Sequence, residues 1–412
     1  MKTVSAPITP NQRIAILDAL RGFAIFGILM VNMPLFSNPI TSMLLGVGVI
    51  EGDSNLLGEF FIKLFFEGKF YVLFSMLFGY GFWLFINKTV EKGSIFTVYR
   101  RRVFSLLLFG ISHILLLWAG DILFFYALFG FVILLFRNKS NKGLMKWVIG
   151  LILVPIIIPA LGWVIVAIAS LNSETQTAMQ GVFEGSNQFL RQIYQKNFEV
   201  YSSGIFSEIV SVRLSEWKML LPGLVVFYPT VLAMFMLGAW AARNNILKNF
   251  QEKIPLFRKL FWQGIIIGIP STVLYTYAWS KAQMGVPNLW GFLNTSMNII
   301  SGISMCLLYV SSIVLLIYRG KLAFFSKYIA PVGRMALTNY LLHSIICTTL
   351  FLPYGFGLFG KIEIWQGILL TIAIYGLQIP FSNWWLKKFN YGPFEWLWRS
   401  LTYLKIQDFV KR

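Results

Sequence analysis

The chain of 412 residues is 57% hydrophobic and 12% charged, where soluble domains carry about a quarter charged residues. Its apolar runs recur along the whole length and are continuous rather than alternating. That excludes a soluble protein and a transmembrane barrel, and leaves an all-α polytopic protein of the lipid bilayer. The formal charge of +19 reads in this class as a bias of cytoplasmic loops towards Lys and Arg, so no nucleic-acid partner is expected.

In chain order, ten apolar stretches are long enough to span. They cover about 14–33, 68–86, 103–119, 121–136, 146–170, 222–242, 260–280, 290–318, 329–352 and 364–386. The first contains Asp18 and Arg21 and no small-residue cleavage motif, so it is read as a retained span rather than a signal peptide. With the N-terminus inside, the inner segments hold 26 Lys and Arg and the outer ones eight. This bias predicts both termini in the cytoplasm. The long segment 171–221 then lies outside. Phe189, Ile193, Phe198 and Ile209 recur there at roughly helical spacing among charges, which predicts one or two amphipathic helices. These helices either cap a site or lie in the interface. No strong internal repeat is visible, so 1–412 is expected to form a single membrane domain. It divides into five spans over 1–170, the external segment 171–221, and five further spans with a C-terminal tail over 222–404.

Polar residues inside the spans are the candidates for function. Asp18 and Arg21, three apart on one helix face, either pair with each other or shape a cytoplasmic entrance. The third span reads RRVFSLLLFGISHILLLWAGDIL. It starts inside at Arg101 and Arg102, carries His113 eleven residues on from Arg102, and ends at Asp121. Eleven residues of helix rise roughly 16 Å, which places His113 near the bilayer midplane. Imidazole is suited to moving a proton near neutral pH, but an intramembrane histidine also serves to hydrogen-bond a neighbouring helix. The spacing suits a long amphipathic ligand shaped like coenzyme A, with phosphates at the arginines and a thioester at the histidine. Asp121 is expected to cap the following helix, with orienting the acceptor or supporting His113 from one to two turns away as the alternative. If the helix were continuous, its eight-residue separation of roughly 12 Å would keep it from direct contact with His113. In the ninth span, His343, Asn339 and Thr338 are read as interhelical hydrogen-bonding groups, with His343 able to approach His113 and a pantetheine amide contact as the alternative for Asn339 and Thr338. No third ligand has suitable spacing to join the two histidines, so no metal is expected. Cys306 and Cys347 fall in apolar runs and are given no role. Trp384, Trp385, Trp396 and Trp398 read as an aromatic belt.

The spacing of Arg102 and His113 resembles the basic-x10-His motif of the acyltransferase family 3 membrane enzymes. RIAILDALRGFAIFGILMVNM resembles the LDxLRGxAxxxV opening of the same superfamily. LFSMLFGYGF, GDILFFYALFG, GRMALTNYLL and GPFEWLWRSLTY resemble the YeiB-like family, domain of unknown function 418. These motifs run from residue 13 to 403. The wider transmembrane acyltransferase group also contains heparan-α-glucosaminide N-acetyltransferase. The resemblance implies transfer of an acyl group from cytosolic acyl-CoA, such as acetyl-CoA, to an unidentified extracytoplasmic acceptor, often a sugar hydroxyl or amine. It implies His113 as general base or transient acyl carrier, with Arg101 and Arg102 on the CoA phosphates. Family 3 enzymes usually place a histidine late in the first span, where this chain has Asn32. The resemblance also suggests a hydrogen-bonding role for His343, because Gln is common at its position in the YeiB-like family. A bacterial plasma membrane is the expected location. A transporter of a small solute is the competing reading, and a scaffold or sensor subunit the third; bound acyl-CoA separates the first reading from both.

Overall fold

A computed structural model describes residues 14–45, 52–90, 95–282 and 287–411. Arg13, which opens the first motif, and part of the basic segment 87–102 lie outside the described residues. The structure is helical throughout; the isolated bridge Phe389–Val410 is its one β feature among the described residues. The principal helices are α1 (Ala15–Ser37), α2 (Asp53–Phe65), α3 (Lys69–Val90), α4 (Ile95–Leu116) and α5 (Leu123–Val132). They continue with α6 (Asn141–Ala169), α7 (Ser173–Ser203), α8 (Phe206–Leu220), α9 (Tyr228–Arg243) and α10 (Ile254–Gln263). The last five are α11 (Ile269–Lys281), α12 (Leu289–Tyr318), α13 (Ala336–Phe351), α14 (Ile364–Lys388) and α15 (Pro393–Tyr403).

Five stretches are long and apolar enough to cross a membrane: Ala15–Ser37, Asp53–Asn87, Asn141–Ala169, Leu289–Tyr318 and Ile364–Lys388. Leu123–Phe136 and Ala336–Phe351 are shorter apolar helices. The surface agrees with a membrane environment. Only 6% of the most apolar window of α6 is buried, and Ile165 and Ile168 are exposed along it. An apolar face of that extent is stable in lipid and an aggregation hazard in water.

The inner helices touch backbone to backbone. A Cβ on Gly79 of α3 would collide with the Phe235 carbonyl of α9, and one on Gly238 would collide with the Met76 carbonyl. Small residues at facing positions allow this approach, which dispersion rewards where lipid supplies no hydrophobic drive. The LFSMLFGYGF motif thereby acquires a packing role. α1 sits at the centre, against α3, α13, α14 and the short helix Ala330–Arg334.

Two expected stretches are less regular than their apolarity predicts. Stretch 260–280 is broken by a π turn at Gly264–Gly268, between α10 and α11. Stretch 329–352 breaks at Met335, between Ala330–Arg334 and α13. The amphipathic segment 171–221 forms two helices, α7 and α8, and α8 packs on α4.

Candidate functional site

The third and fourth apolar stretches are separate helices joined by a reversal, and the reversal builds the site. α4 closes with the Leu117 and Trp118 amides both donating to the His113 carbonyl, at 2.9 and 2.8 Å. The chain turns back and α5 begins at Leu123. The start of α5 lies so close to α4 that a Cβ on Gly110 would strike the Phe124 amide nitrogen. Gly110 and His113 are three apart and share a face of α4.

That approach brings Asp121 into the direct contact with His113 that a continuous helix would not allow. Asp121 Oδ1 accepts from the Phe124 amide at 2.6 Å, satisfying a first-turn donor of α5 as expected of a cap. Its other oxygen, Oδ2, lies 2.9 Å from His113 Nδ1. The eight-residue separation assumed a continuous helix; the turn after Leu116 folds it away. His113 Nε2 in turn lies 2.7 Å from Ser344 Oγ on α13. All three residues are buried, His113 and Ser344 to 1% exposure and Asp121 to 5%. Asp121 Oδ2 meets Nδ1 as an ion-pair contact without the alignment of a hydrogen bond. Its negative charge favours the proton on Nδ1, which leaves Nε2 to accept from the serine hydroxyl. The Tyr340 ring, one turn before Ser344, packs 5.3 Å from the imidazole.

His343 does not join this group. Its Nε2 pairs with Gln378 Oε1 of α14 at 2.9 Å, and Gln378 Nε2 donates to the Asn339 carbonyl at 3.2 Å. Asn339 Nδ2 donates to the Val332 carbonyl and to Ser382 Oγ at 3.0 and 3.1 Å. α13 therefore carries two adjacent polar rows. Asn339 and His343 face α14, while Tyr340 and Ser344, one residue further round, face α4.

At the opposite end of α4 a cavity of about 220 Å³ opens, lined by Arg21, Arg102, Arg334 and Arg399 with Asp18 and Glu395. Asp18 and Arg21 pair with each other at 3.1 Å, and both line the cavity. The Arg102 guanidinium stacks 3.7 Å from the Trp398 ring, and Trp398 Nε1 donates to the Arg102 carbonyl at 2.8 Å. Arg101 is not among the lining residues. Glu395 Oε1 accepts from the Leu337 and Thr338 amides at 2.7 and 3.0 Å, and Oε2 accepts from Thr338 Oγ1 at 2.5 Å. A carboxylate from α15 thus caps the first turn of α13, where the helix dipole favours negative charge.

GPFEWLWRSLTY therefore has a mechanical role. It clamps the starting ends of α4 and α13, the helices that carry His113 and Ser344. Trp398, expected to lie in an aromatic belt, is part of that clamp. Glu395 and Ser344 were missed in the sequence. Glu395 lies inside GPFEWLWRSLTY and Ser344 two residues beyond GRMALTNYLL, but no local spacing linked either to its partner.

The far end of the site is held from α8. Arg213, 1% exposed, donates to the Leu116 carbonyl at 2.9 Å and to the Tyr354 hydroxyl at 3.2 Å. Beside it Glu216 accepts from Tyr201 at 2.8 Å and from Asn197 and the Thr41 amide, both at 3.3 Å. Burial pushes the Glu216 carboxyl above the ordinary carboxylate range, against the pull of these donors.

A family model described as "Protein of unknown function (DUF418)" matches residues 241–405. The chain is similar to "Uncharacterized protein YxaH" of Bacillus subtilis (strain 168), at 35% identity over 98% of both chains. It is also similar to "Uncharacterized protein YeiB" of Escherichia coli (strain K12), at 32% identity over 95% of this chain and 96% of the relative. No solved structure matches.

Proposed function

We propose, from the premise that this chain belongs to the YeiB-like DUF418 family, that it is a membrane-bound acyltransferase. It would move an acetyl-like group from cytosolic acyl-CoA to an extracytoplasmic hydroxyl or amine, such as that of a glycan. The proposal includes ten spans with both termini inside, α7 and α8 on the outer surface, and a bacterial plasma membrane as the location.

The observation that carries this reading is the pairing of two sites along one helix. The arginine-lined cavity receives α4 at Arg102, and the buried Asp121–His113 pair lies towards the other end. Arg102 with Arg21, Arg334 and Arg399 would take the CoA phosphates as charge-assisted donors. Leu337 lines the cavity, and Ser344 stands seven residues further along α13, roughly 10 Å of helix. The pantetheine arm would cover that interval and bring the thioester to the imidazole. There His113 Nε2 takes the proton of the attacking group, and Asp121 stabilises the imidazolium formed. Water exclusion follows from the burial of all three residues and protects the thioester from hydrolysis.

The test is the thermal stability of detergent-purified protein with and without acetyl-CoA, in wild type and Arg102→Ala. Ligand at 100 times its dissociation constant stabilises by about 2.7 kcal/mol. A shift in wild type that is reduced in the variant is the expected result. No shift with any acyl-CoA overturns the reading and returns the chain to the transporter class, where flux into vesicles becomes the assay.

A further inference from the structure

We infer that Ser344 is the covalent nucleophile of this protein, activated by His113 and Asp121, and that the acyl group rests on Ser344 Oγ before it reaches the acceptor. The inference deepens the acyltransferase reading and rests on it for the identity of the donor.

The distances are those at which a histidine beside a carboxylate can activate a serine. The carboxylate meets Nδ1 at 2.9 Å and the hydroxyl meets Nε2 at 2.7 Å. Asp121 reaches His113 through the turn after α4, but Ser344 comes from α13, 231 residues away, so no local turn or cap brings its hydroxyl to the imidazole. The behaviour of other hydroxyls in the bundle sharpens the point. Ser105, Ser311, Ser312 and Thr348 all donate to the carbonyl four residues back. That bond is the ordinary way for a hydroxyl on an apolar helix to be satisfied. Ser344 leaves the Tyr340 carbonyl and turns its hydroxyl to the imidazole. Asp121 Oδ2 is likewise committed to His113 alone, while Oδ1 holds the α5 cap. A histidine serving only to join two helices needs neither the second carboxylate oxygen nor a defined tautomer.

The step balances within these groups. Ser344 Oγ bonds the thioester carbonyl carbon as its proton passes to His113 Nε2. The C–S bond breaks, and the departing thiolate takes that proton to leave as free CoA thiol. The acceptor hydroxyl or amine then attacks the Ser344 ester and gives its proton to Nε2. That proton returns to Ser344 Oγ as the ester bond breaks. One donor acyl group becomes one acceptor acyl group, with no oxidant or further reactant.

Purified protein is incubated with acetyl-CoA alone, quenched in acid and digested, and the acetylated peptide is located by mass spectrometry. The expected adduct lies on Ser344 and resists neutral hydroxylamine, as an oxygen ester does and an acyl-imidazole does not. Ser344→Cys should carry a hydroxylamine-labile thioester, and Ser344→Ala and His113→Ala no adduct. A wild-type adduct on His113 overturns the inference, as does release of CoA thiol by Ser344→Ala at more than a tenth of the wild-type rate. A small fluorophosphonate separates the two proposals. If acetyl-CoA neither shifts stability nor labels, phosphonylation of Ser344 that disappears in His113→Ala keeps the nucleophile and removes acyl-CoA as its donor. Folded wild type that fails to react at Ser344 with either reagent refutes the nucleophile itself.

Discussion

Asp121 performs two tasks with two oxygens, and a single substitution separates them. In Asp121→Asn the side-chain carbonyl still accepts from the Phe124 amide, so the start of α5 stays capped. The amide NH₂ then faces His113 Nδ1 and donates to it. The ring proton moves to Nε2, and the imidazole can no longer accept from Ser344. The expected result is a thermal midpoint near that of wild type with acyl-enzyme formation slower by about 10⁴, the loss typical when the orienting carboxylate of such a triad is replaced. A labelling rate within tenfold of wild type would show that the tautomer is not set by Asp121.

Glu216 makes a pH prediction at the same scale. Its carboxyl is raised in the folded protein, so folding favours the neutral form. Its stabilising contribution is full below the unfolded value and is lost as pH rises through the folded one. Arg213 and the Tyr201 hydroxyl are the ionisable groups beside it, and burial pushes the Tyr201 hydroxyl further up, away from that range. Glu216→Gln should therefore flatten the fall in stability between ordinary carboxylate pH and neutrality, read as thermal midpoint against pH. An unchanged slope would place the titration elsewhere.

Among the elements, α15 has the clearest mechanical task. It supplies the carboxylate that caps α13 and the indole that holds the start of α4. Glu395→Ala strips the partner from the Leu337 and Thr338 amides, a loss of about 1–2 kcal/mol for a helix cap. Because α13 carries Ser344, the labelling rate should fall with the midpoint. Glu395→Gln should recover most of both, since its carbonyl still accepts from the two amides. A midpoint unchanged in Glu395→Ala would deny α15 the capping role. α4 and α13 are thus braced at one end by α15, while Arg213 holds the α4 end nearest His113.

For the whole molecule, the proposed topology separates the basic loops from α7 and α8. The two native cysteines are buried, so neither should react with a membrane-impermeant maleimide in intact cells. A cysteine placed at Gly181, where no heavy atom lies within 4 Å of an added Cβ, should label from outside. One at Lys139, on the exposed turn before α6, should label only after the membrane is opened. Labelling of both positions from one side would overturn the ten-span arrangement.

The sequence by itself determined the helical membrane class, the positions of the apolar stretches, and the register of Arg102 and His113 on one helix. Composition and spacing carry those facts locally. Asp18 with Arg21 was legible for the same reason, as neighbours three apart on one turn. Only the tertiary structure decided that Asp121 reaches His113, that Ser344 rather than His343 meets it, and that Glu395 caps a helix 57 residues away. His113 and Ser344 are 231 residues apart. Helices that are apolar on most sides carry no stripe to announce which face meets which neighbour. On α13 the choice between His343 and Ser344 is about 100° of rotation. That rotation is fixed by close packing across the bundle, where Gly110 admits α5 against α4 and Gln378 draws His343 towards α14.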